Sequence, residues 1–222
     1  MNFGMETVRD IILVLVPLVL SLTVHEFAHA WSAYKLGDNT AKSMGRMTLN
    51  PLVHIDPIGT ILIPILPVLM SGMSFGLIGW AKPVPVVPHR FDRRFSMRMG
   101  MIITALAGPG SNFLLAFLAG APYAAMQTGV IDATGSMAAI SVLVERIFLI
   151  NIGLGIFNML PVYPLDGSRV LPEEWQAKMA KTQMLWMVGL LLLINVPAFM
   201  KAIFAIVLAI AGAFLSFWSL VF

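Results

Sequence analysis

Residues 11–36 read IILVLVPLVLSLTVHEFAHAWSAYKL, an apolar run with a polar cluster around His25, Glu26 and His29. As an α-helix this run rises about 39 Å, which exceeds the ~30 Å hydrocarbon core of a bilayer. The stretch therefore predicts a membrane-spanning helix over residues 9–36. Three ionisable side chains lie inside its apolar length, so polar chemistry is expected within the membrane.

The composition of the whole chain is also typical of a membrane protein. Of its 222 residues, 59% are hydrophobic and 11% are charged, whereas a soluble domain has about 25% charged residues. A formal net charge of +3 is too small and dispersed to indicate nucleic-acid binding, so the expected partner is the lipid bilayer. Because the chain has no cysteine, disulfides and thiolate chemistry are excluded, and a metal site would need His, Asp, Glu or backbone oxygens.

The flanking sequence predicts an all-α polytopic membrane protein, a bundle of about five to six transmembrane helices in one domain over residues 1–222. Besides the first, helices are predicted at residues 58–70, 97–120, 138–160, 183–195 and 199–222, of which those at 58–70 and 183–195 are too short for a full crossing. The last 40 residues would make one helix of about 60 Å, so a division is expected near Asn195-Val196-Pro197. No removable signal peptide is expected, since Met1 to Asp10 carries charges and lacks a small-residue cleavage site.

Residues 58–88 predict a re-entrant or extended excursion between the first two long helices. Pro64 and Pro67 interrupt its apolar run, and Trp80–Val87 reads WAKPVPVV, in which two prolines favour extended backbone. Lys and Arg flank the excursion on both sides, which places both flanks in the cytoplasm by the positive-inside rule. Residues 121–137 carry one Asp and no Lys or Arg and are expected on the outer side.

His25-Glu26-Phe27-Ala28-His29 has the pattern H-E-x-x-H, which is typical of zinc hydrolases. The i, i+4 spacing places both imidazoles on one helix face, where they could bind one cation with Glu26 beside them. Glu26 would act as general base, taking a proton from the attacking water and passing it to the leaving amine. In a soluble protein a structural role would be as plausible, but ionisable groups inside a membrane helix are costly and indicate function.

A catalytic zinc has three protein ligands, and without cysteine the third must be His, Asp or Glu. Asp166 stands out, because two prolines interrupt the helix end before it and Gly167 permits a sharp turn back toward the bundle. By topology Asp166 and the two histidines both lie toward the cytoplasmic half of the bilayer. The other candidates lie mostly in loops, where capping and solvation are ordinary roles: His54, Asp56, His89, Asp92, Glu145, Glu173 and Glu174.

Four segments within residues 20–170 carry a family resemblance. They are His25-Glu26-x-x-His29, Gly79-Trp80-Ala81-Lys82-Pro83-Val84-Pro85-Val86, Gly108-Pro109-x-Ser111-Asn112, and the N-x-x-P-x-x-x-L-D-G stretch from Asn158 to Gly167. Together they resemble the site-2 protease family of intramembrane zinc metalloproteases, in its minimal prokaryotic form without a PDZ or CBS domain. The resemblance implies one zinc per chain bound by His25, His29 and Asp166, with Glu26 as general base. It also implies that Asn158 lies near the scissile carbonyl; a hydrogen bond between helices is the alternative role.

These observations predict a zinc endopeptidase that hydrolyses peptide bonds in or near transmembrane segments of membrane proteins. It is expected in the prokaryotic plasma membrane, with its active site toward the cytoplasm. Lys82, Pro83, Val84, Pro85 and Val86 could bind an unwound substrate by strand addition, or form a stiff connector. The small residues around Gly108 are assigned to helix packing.

Two alternatives stay open at the level of sequence. A membrane metal-ion carrier or transporter could use the same His and Asp residues, although it needs no general base beside them. Two histidines and one carboxylate also suit ferrous iron, so zinc depends on the H-E-x-x-H geometry and on the resemblance.

Overall fold

The computed structural model describes residues 4–71, 79–135 and 137–222, and these residues form helices and loops with no strand among them. In chain order the α-helices are α1 (Met5–Lys35), α2 (Thr40–Ser43), α3 (Ile63–Ser71), α4 (Met97–Gln127), α5 (Met137–Asn158), α6 (Glu173–Lys181), α7 (Gln183–Ile194) and α8 (Pro197–Trp218). A π-helical turn at Pro57–Leu62 leads into α3, and short 3-10 turns lie at Pro51–Val53, Pro88–Arg90 and Asp166–Val170.

Four of the described helices, α1, α4, α5 and α8, are long and apolar enough to cross a membrane. Helices α6 and α7 meet at a bend of 89°, and together they could count as a fifth span. The prediction of an all-α polytopic membrane protein is confirmed. The described residues contain four spans, or five if the bent pair is counted, where the sequence predicts about five to six.

Helix α4 is longer than the sequence predicts. Its expected end is residue 120, whereas the helix continues through Pro122 to Gln127. A proline is tolerated inside a membrane helix because neighbouring groups satisfy the carbonyl that it leaves free, while an early end would expose more unpaired backbone. The helix ends just before Gly129, whose φ of 80° is a left-handed conformation that glycine adopts readily.

Helices α1, α4 and α5 pack together as the centre of the bundle, with α1 against both of the others. Their interface is polar in part, since Ser21, Asn112 and Asn151 are fully buried within it. An apolar cluster that includes Phe148 and Ile152 attaches α8 to the outer side of α4 and α5. The bundle therefore has a polar centre and an apolar flank.

The excursion predicted over residues 58–88 falls partly on residues 72–78, which lie outside the described residues. Its first part is the helical stretch from Pro57 to Ser71, and its last part, residues 79–87, contacts α1 through Ala81 and Val84. Ala81 packs against Leu18 and Leu22 of α1. This contact holds the later part of the excursion against the helix that carries the H-E-x-x-H motif.

The chain turns back sharply after α5. Gly167 lies so close to the carbonyl groups of Met159 and Leu160 that a Cβ atom would overlap them. Glycine is therefore required for this close approach. The turn at Asp166–Val170 packs against α4, which brings Asp166 into the centre of the bundle.

Candidate active site

Asp166 meets the two histidines of α1 in the buried centre. The Nε2 atoms of His25 and His29 lie 2.9 Å apart, and Oδ2 of Asp166 lies 3.1 Å from each of them. The three residues are between 4% and 8% exposed. Within the described part of the chain, they form the one group of three His, Asp or Glu residues placed to hold a metal ion. Residues 137 positions apart in the sequence thus come together as a candidate metal centre.

Hydrogen bonds on the far side of each imidazole indicate which nitrogen faces the centre. His29 Nδ1 lies 2.7 Å from the backbone carbonyl of Thr104, and His25 Nδ1 lies 2.7 Å from Oδ1 of Asn112. Both partners are acceptors, so each Nδ1 carries a hydrogen and each Nε2 of the neutral imidazole presents a lone pair. Two nitrogen lone pairs and one carboxylate oxygen therefore converge on the same point.

This donor set fits zinc. Donors bound to a tetrahedral zinc at about 2.0–2.1 Å lie about 3.3 Å from each other, close to the 2.9–3.1 Å found here. Histidine ligands of metals generally donate their other N–H to a carbonyl or carboxylate, as both imidazoles do.

Glu26 is 7% exposed and contacts the segment of residues 80–87. Its Oε2 atom accepts a hydrogen bond of 2.8 Å from the backbone N–H of Val84. The predicted general base is thus in direct contact with one of the residues predicted to bind substrate. Nothing in the spacing of the sequence indicates this contact, because the two residues are 58 positions apart.

One edge of residues 80–87 is occupied by the protein itself. The N–H groups of Trp80 and Lys82 donate to the carbonyls of Gly59 and His54, at 3.2 and 2.8 Å. With the Val84 N–H, which bonds to Glu26, the N–H group of every second residue points to the same side, as in an extended chain.

The opposite edge carries Pro83 and Pro85, which have no N–H to donate. Lys82 and Pro83 are exposed and Val84 is buried, with Pro85 and Val86 partly buried. A partner strand would therefore find carbonyl acceptors on this edge but few donors, because the Val87 N–H is bonded to Oδ2 of Asp38. The Pro83 carbonyl also lies 3.4 Å from a guanidinium nitrogen of Arg46.

Asn158 lies at the end of α5, and its Nδ2 donates to the carbonyl of Leu154 one turn earlier, at 3.0 Å. Among the described residues, no hydrogen bond joins Asn158 to the metal cluster. His54, another candidate from the sequence, is buried and its Nε2 lies 2.9 Å from the carbonyl of Thr48. The backbone contact of His54 with Lys82 gives it a structural position outside the cluster.

Sequence reasoning missed several residues that shape the site. Gly108 faces both imidazoles, and a Cβ atom there would overlap the rings of His25 and His29. Asn112, four residues later, binds His25, and Asn151 of α5 binds Asn112. The segment around Gly108 had a detectable signal in its resemblance to a family motif, whereas Asn151 had none.

Comparisons with known proteins identify the family of the chain. The model of the family "Peptidase family M50" matches residues 124–196, a range that includes Asp166. "Putative zinc metalloprotease YwhC" of Bacillus subtilis (strain 168) is 38% identical over 192 residues, which cover 82% of this chain and 80% of that protein.

Two more distant relatives are both named "Putative zinc metalloprotease Rip2". The protein of Mycolicibacterium smegmatis is 29% identical, with 88% of this chain and 71% of its own length covered. That of Mycobacterium tuberculosis (strain H37Rv) is 28% identical, with 95% and 82% covered. No solved structure matches the chain. The resemblance found in the motifs is thus confirmed, and the chain belongs to peptidase family M50, the site-2 protease family.

Proposed function

We propose that this metalloprotease hydrolyses peptide bonds in or next to the transmembrane segments of other membrane proteins. One zinc per chain is bound by His25, His29 and Asp166. The observation that carries the proposal is that these three donors converge on the buried face of α1, a helix apolar and long enough to cross a membrane. Peptide bonds that reach this centre must come from within the bilayer or from its edge.

The depth of the site supports an orientation toward the cytoplasm. His25 lies 11 residues before Leu36, which corresponds to about 16 Å of helical rise. The loops that follow α1 carry Lys and Arg on both sides of the excursion, and such loops stay in the cytoplasm. We therefore place the chain in the cell membrane with the metal centre in the cytoplasmic leaflet.

The chemistry follows from the position of each group. A bound zinc supplies a Lewis acid that activates water for hydrolysis near neutral pH. Glu26, next to His25 in the chain, takes the proton of the attacking water and delivers it to the leaving amine. The Val84 N–H holds the Glu26 carboxylate in the buried site. Asn158 is proposed to donate to the developing oxyanion once its amide leaves Leu154.

Substrate binding requires local unwinding, because a peptide bond inside a helix is shielded and its backbone groups are paired. We propose that residues 82–86 receive the unwound chain. The geometry restricts the pairing, since the inner edge is already occupied and the outer edge mainly offers carbonyl oxygens. N–H groups of the substrate would therefore supply most of the hydrogen bonds.

The carrier alternative is not favoured, because the chain belongs to a peptidase family and has a carboxylate, Glu26, placed beside the candidate ligands. A carrier requires repeated loading and release of the ion, for which Glu26 has no role.

The test uses purified protein in liposomes with a single-span membrane substrate. A soluble peptide that carries the same residues serves as the comparison, and mass spectrometry locates the cut. We expect cleavage within the span or a few residues from it, no cleavage by Glu26→Gln, and normal cleavage by Glu6→Gln, which changes an exposed carboxylate at the start of the same helix. Cleavage of the soluble peptide alone, or zinc flux without cleavage, would contradict the proposal.

A further inference from the structure

We propose that Ser21, Asn151 and Asn112 form a chain of hydrogen bonds, here called the amide relay, that positions His25 as a metal ligand. The relay holds the imidazole in the tautomer that leaves Nε2 free for zinc. All three residues are fully buried, at 0% exposure. The inference rests on the proposed function, because it assumes that His25 is a zinc ligand.

The relay begins with the side-chain amide of Asn151, whose orientation is fixed by two hydrogen-bond acceptors. Asn151 Nδ2 lies 2.8 Å from the backbone carbonyl of Ile147, which can only accept. The same Nδ2 lies 2.8 Å from the hydroxyl of Ser21, and that hydroxyl donates to the carbonyl of Pro17 at 2.6 Å. Since the Ser21 hydrogen is used there, its oxygen must accept from Asn151. The oxygen of the Asn151 amide therefore points away, toward α4.

The second amide takes its orientation from the first. Asn112 Nδ2 lies 2.8 Å from Oδ1 of Asn151 and 3.3 Å from the backbone carbonyl of Ser21. Both partners are acceptors, so the nitrogen of Asn112 belongs on this side. Its oxygen then faces His25 Nδ1 at 2.7 Å and requires a hydrogen on that nitrogen. Asn151 and the Ser21 carbonyl together thus fix the Asn112 amide, and through it the hydrogen on Nδ1 of His25.

The two histidine ligands are supported differently. His29 donates to a backbone carbonyl of α4, at Thr104, which no side-chain rotation can reverse. His25 meets a side-chain amide, which would present either oxygen or nitrogen if it rotated freely. If Asn112 turned its nitrogen toward His25, Nδ1 would have to accept and Nε2 would carry the hydrogen, which blocks metal binding. The relay prevents that rotation.

A simple structural role is the competing explanation, because these bonds also join α1, α4 and α5. Asn112→Asp separates the two roles. A carboxylate still accepts from His25 whichever oxygen faces it, but it loses the donor toward Asn151 and Ser21. A positioning role therefore predicts that Asn112→Asp keeps zinc and Asn112→Leu does not. A role in helix association alone predicts that both variants behave alike.

The experiment measures zinc affinity by competition with a chelator, together with thermal unfolding of the zinc-free proteins. We expect Asn112→Leu to weaken zinc binding about 10–100-fold. Asn151→Leu, which does not touch His25, should weaken it by a smaller factor, and Asn112→Asp should bind within about twofold of wild type. The control is Trp218→Phe, which removes a 2.8 Å bond from α8 to the Phe117 carbonyl of α4 and should leave zinc affinity unchanged.

A second readout does not involve zinc. Nitrogen-15 NMR of histidine in the zinc-free protein reports which ring nitrogen of His25 carries the hydrogen. We expect a hydrogen on Nδ1 of His25 in wild type, where it faces Oδ1 of Asn112, and partial loss of that hydrogen in Asn151→Leu.

The outcomes separate the two proposals. If wild type binds no zinc, the proposed metal site fails, and the NMR measurement alone decides the relay. If wild type binds zinc and Asn151→Leu shows wild-type affinity and the wild-type tautomer, the relay is overturned. If Asn112→Leu does not fold, the zinc affinities of Asn151→Leu and Asn112→Asp still test whether the amide relay positions His25.

Discussion

Helices α5 and α8 have the same length, 22 residues each, and both are apolar enough to cross a membrane, yet they bury different side chains. Helix α5 buries Asn151 among its apolar residues and ends next to the turn that carries Asp166. The buried residues of α8 are Ile203, Val207 and Ala211. Hydrophobic length therefore identifies both helices as spans, but only buried polar groups show which one belongs to the chemical centre.

The difference has an energetic cause. Lipid tails compete with apolar side chains for the surface of α8, so its association depends on close packing. A polar group in the centre has no such substitute and must find its partner inside the protein. Substitutions in the centre should therefore change zinc binding and hydrolysis, whereas substitutions in α7 and α8 should at most change stability.

The largest effect is expected for Asp166→Ala, which removes one of three proposed ligands. We expect zinc affinity to fall by about a thousandfold or more and hydrolysis to become undetectable. Asp132→Ala, in the exposed loop after α4, is the matched control and should retain both. Wild-type zinc content in Asp166→Ala, measured by elemental analysis, would show that another residue is the third ligand.

A methyl group placed beside the cluster should have the next largest effect. In Gly108→Ala the new Cβ would overlap both imidazoles, so we expect hydrolysis to fall about 10–100-fold. Gly110→Ala lies two residues further along α4 and has open space around it. It should keep wild-type activity and gain up to about 1 kcal/mol of stability from better helix propensity. Equal activity in the two variants would contradict the close packing of α4 against the metal centre.

A smaller effect on stability and cleavage rate is expected from substitution of a residue that holds residues 80–87 in place. The hydroxyl of Thr60 donates to the Trp80 carbonyl at 2.7 Å, so Thr60→Val should cost about 1–2 kcal/mol of stability and lower the rate of cleavage. In Thr104→Val the lost hydroxyl has no hydrogen-bond partner among the described residues, and no loss is expected. Thermal unfolding and initial rates of the pair test whether this segment must be held in place.

The smallest effects should lie in the C-terminal helices. Leu192 of α7 is 67% exposed, so Leu192→Ala should leave activity and zinc affinity within about twofold of wild type. Val207 of α8 is 3% exposed, and Val207→Ala should lower stability by about 1–2 kcal/mol without affecting zinc. A loss of zinc affinity in either variant would contradict this account, because it would show that α7 or α8 contributes to the metal centre as well as to packing.

The sequence predicts much of the fold, because hydrophobic length and prolines are local signals. The division at Asn195-Val196-Pro197 is an example, since α7 ends at Ile194 and α8 begins at Pro197. Pro122 is a case in which a proline does not predict a helix end, because this residue, which would end a helix in water, lies inside α4. Helix α6 has no predicted counterpart, since it is short and polar and carries no hydrophobic signal.

The sequence predicts the candidate metal ligands but not the residues that hold the site residues in place. His25 and His29 share a helix face by spacing alone, and Asp166 follows from the turn around it. The contacts of Asn112 with Asn151, and of Val84 with Glu26, depend on how separate segments are rotated against each other. No local sequence pattern predicts that rotation, so these contacts can be identified only from the three-dimensional structure.

The most direct test of the account compares wild type with Glu26→Gln, each measured for bound zinc and for cleavage of a single-span substrate. Glu26 is proposed to move a proton and not to bind the metal, so we predict about one zinc per chain in both proteins and cleavage by wild type alone. Cleavage by Glu26→Gln at the wild-type rate, or absence of zinc from the wild-type protein, would contradict the account.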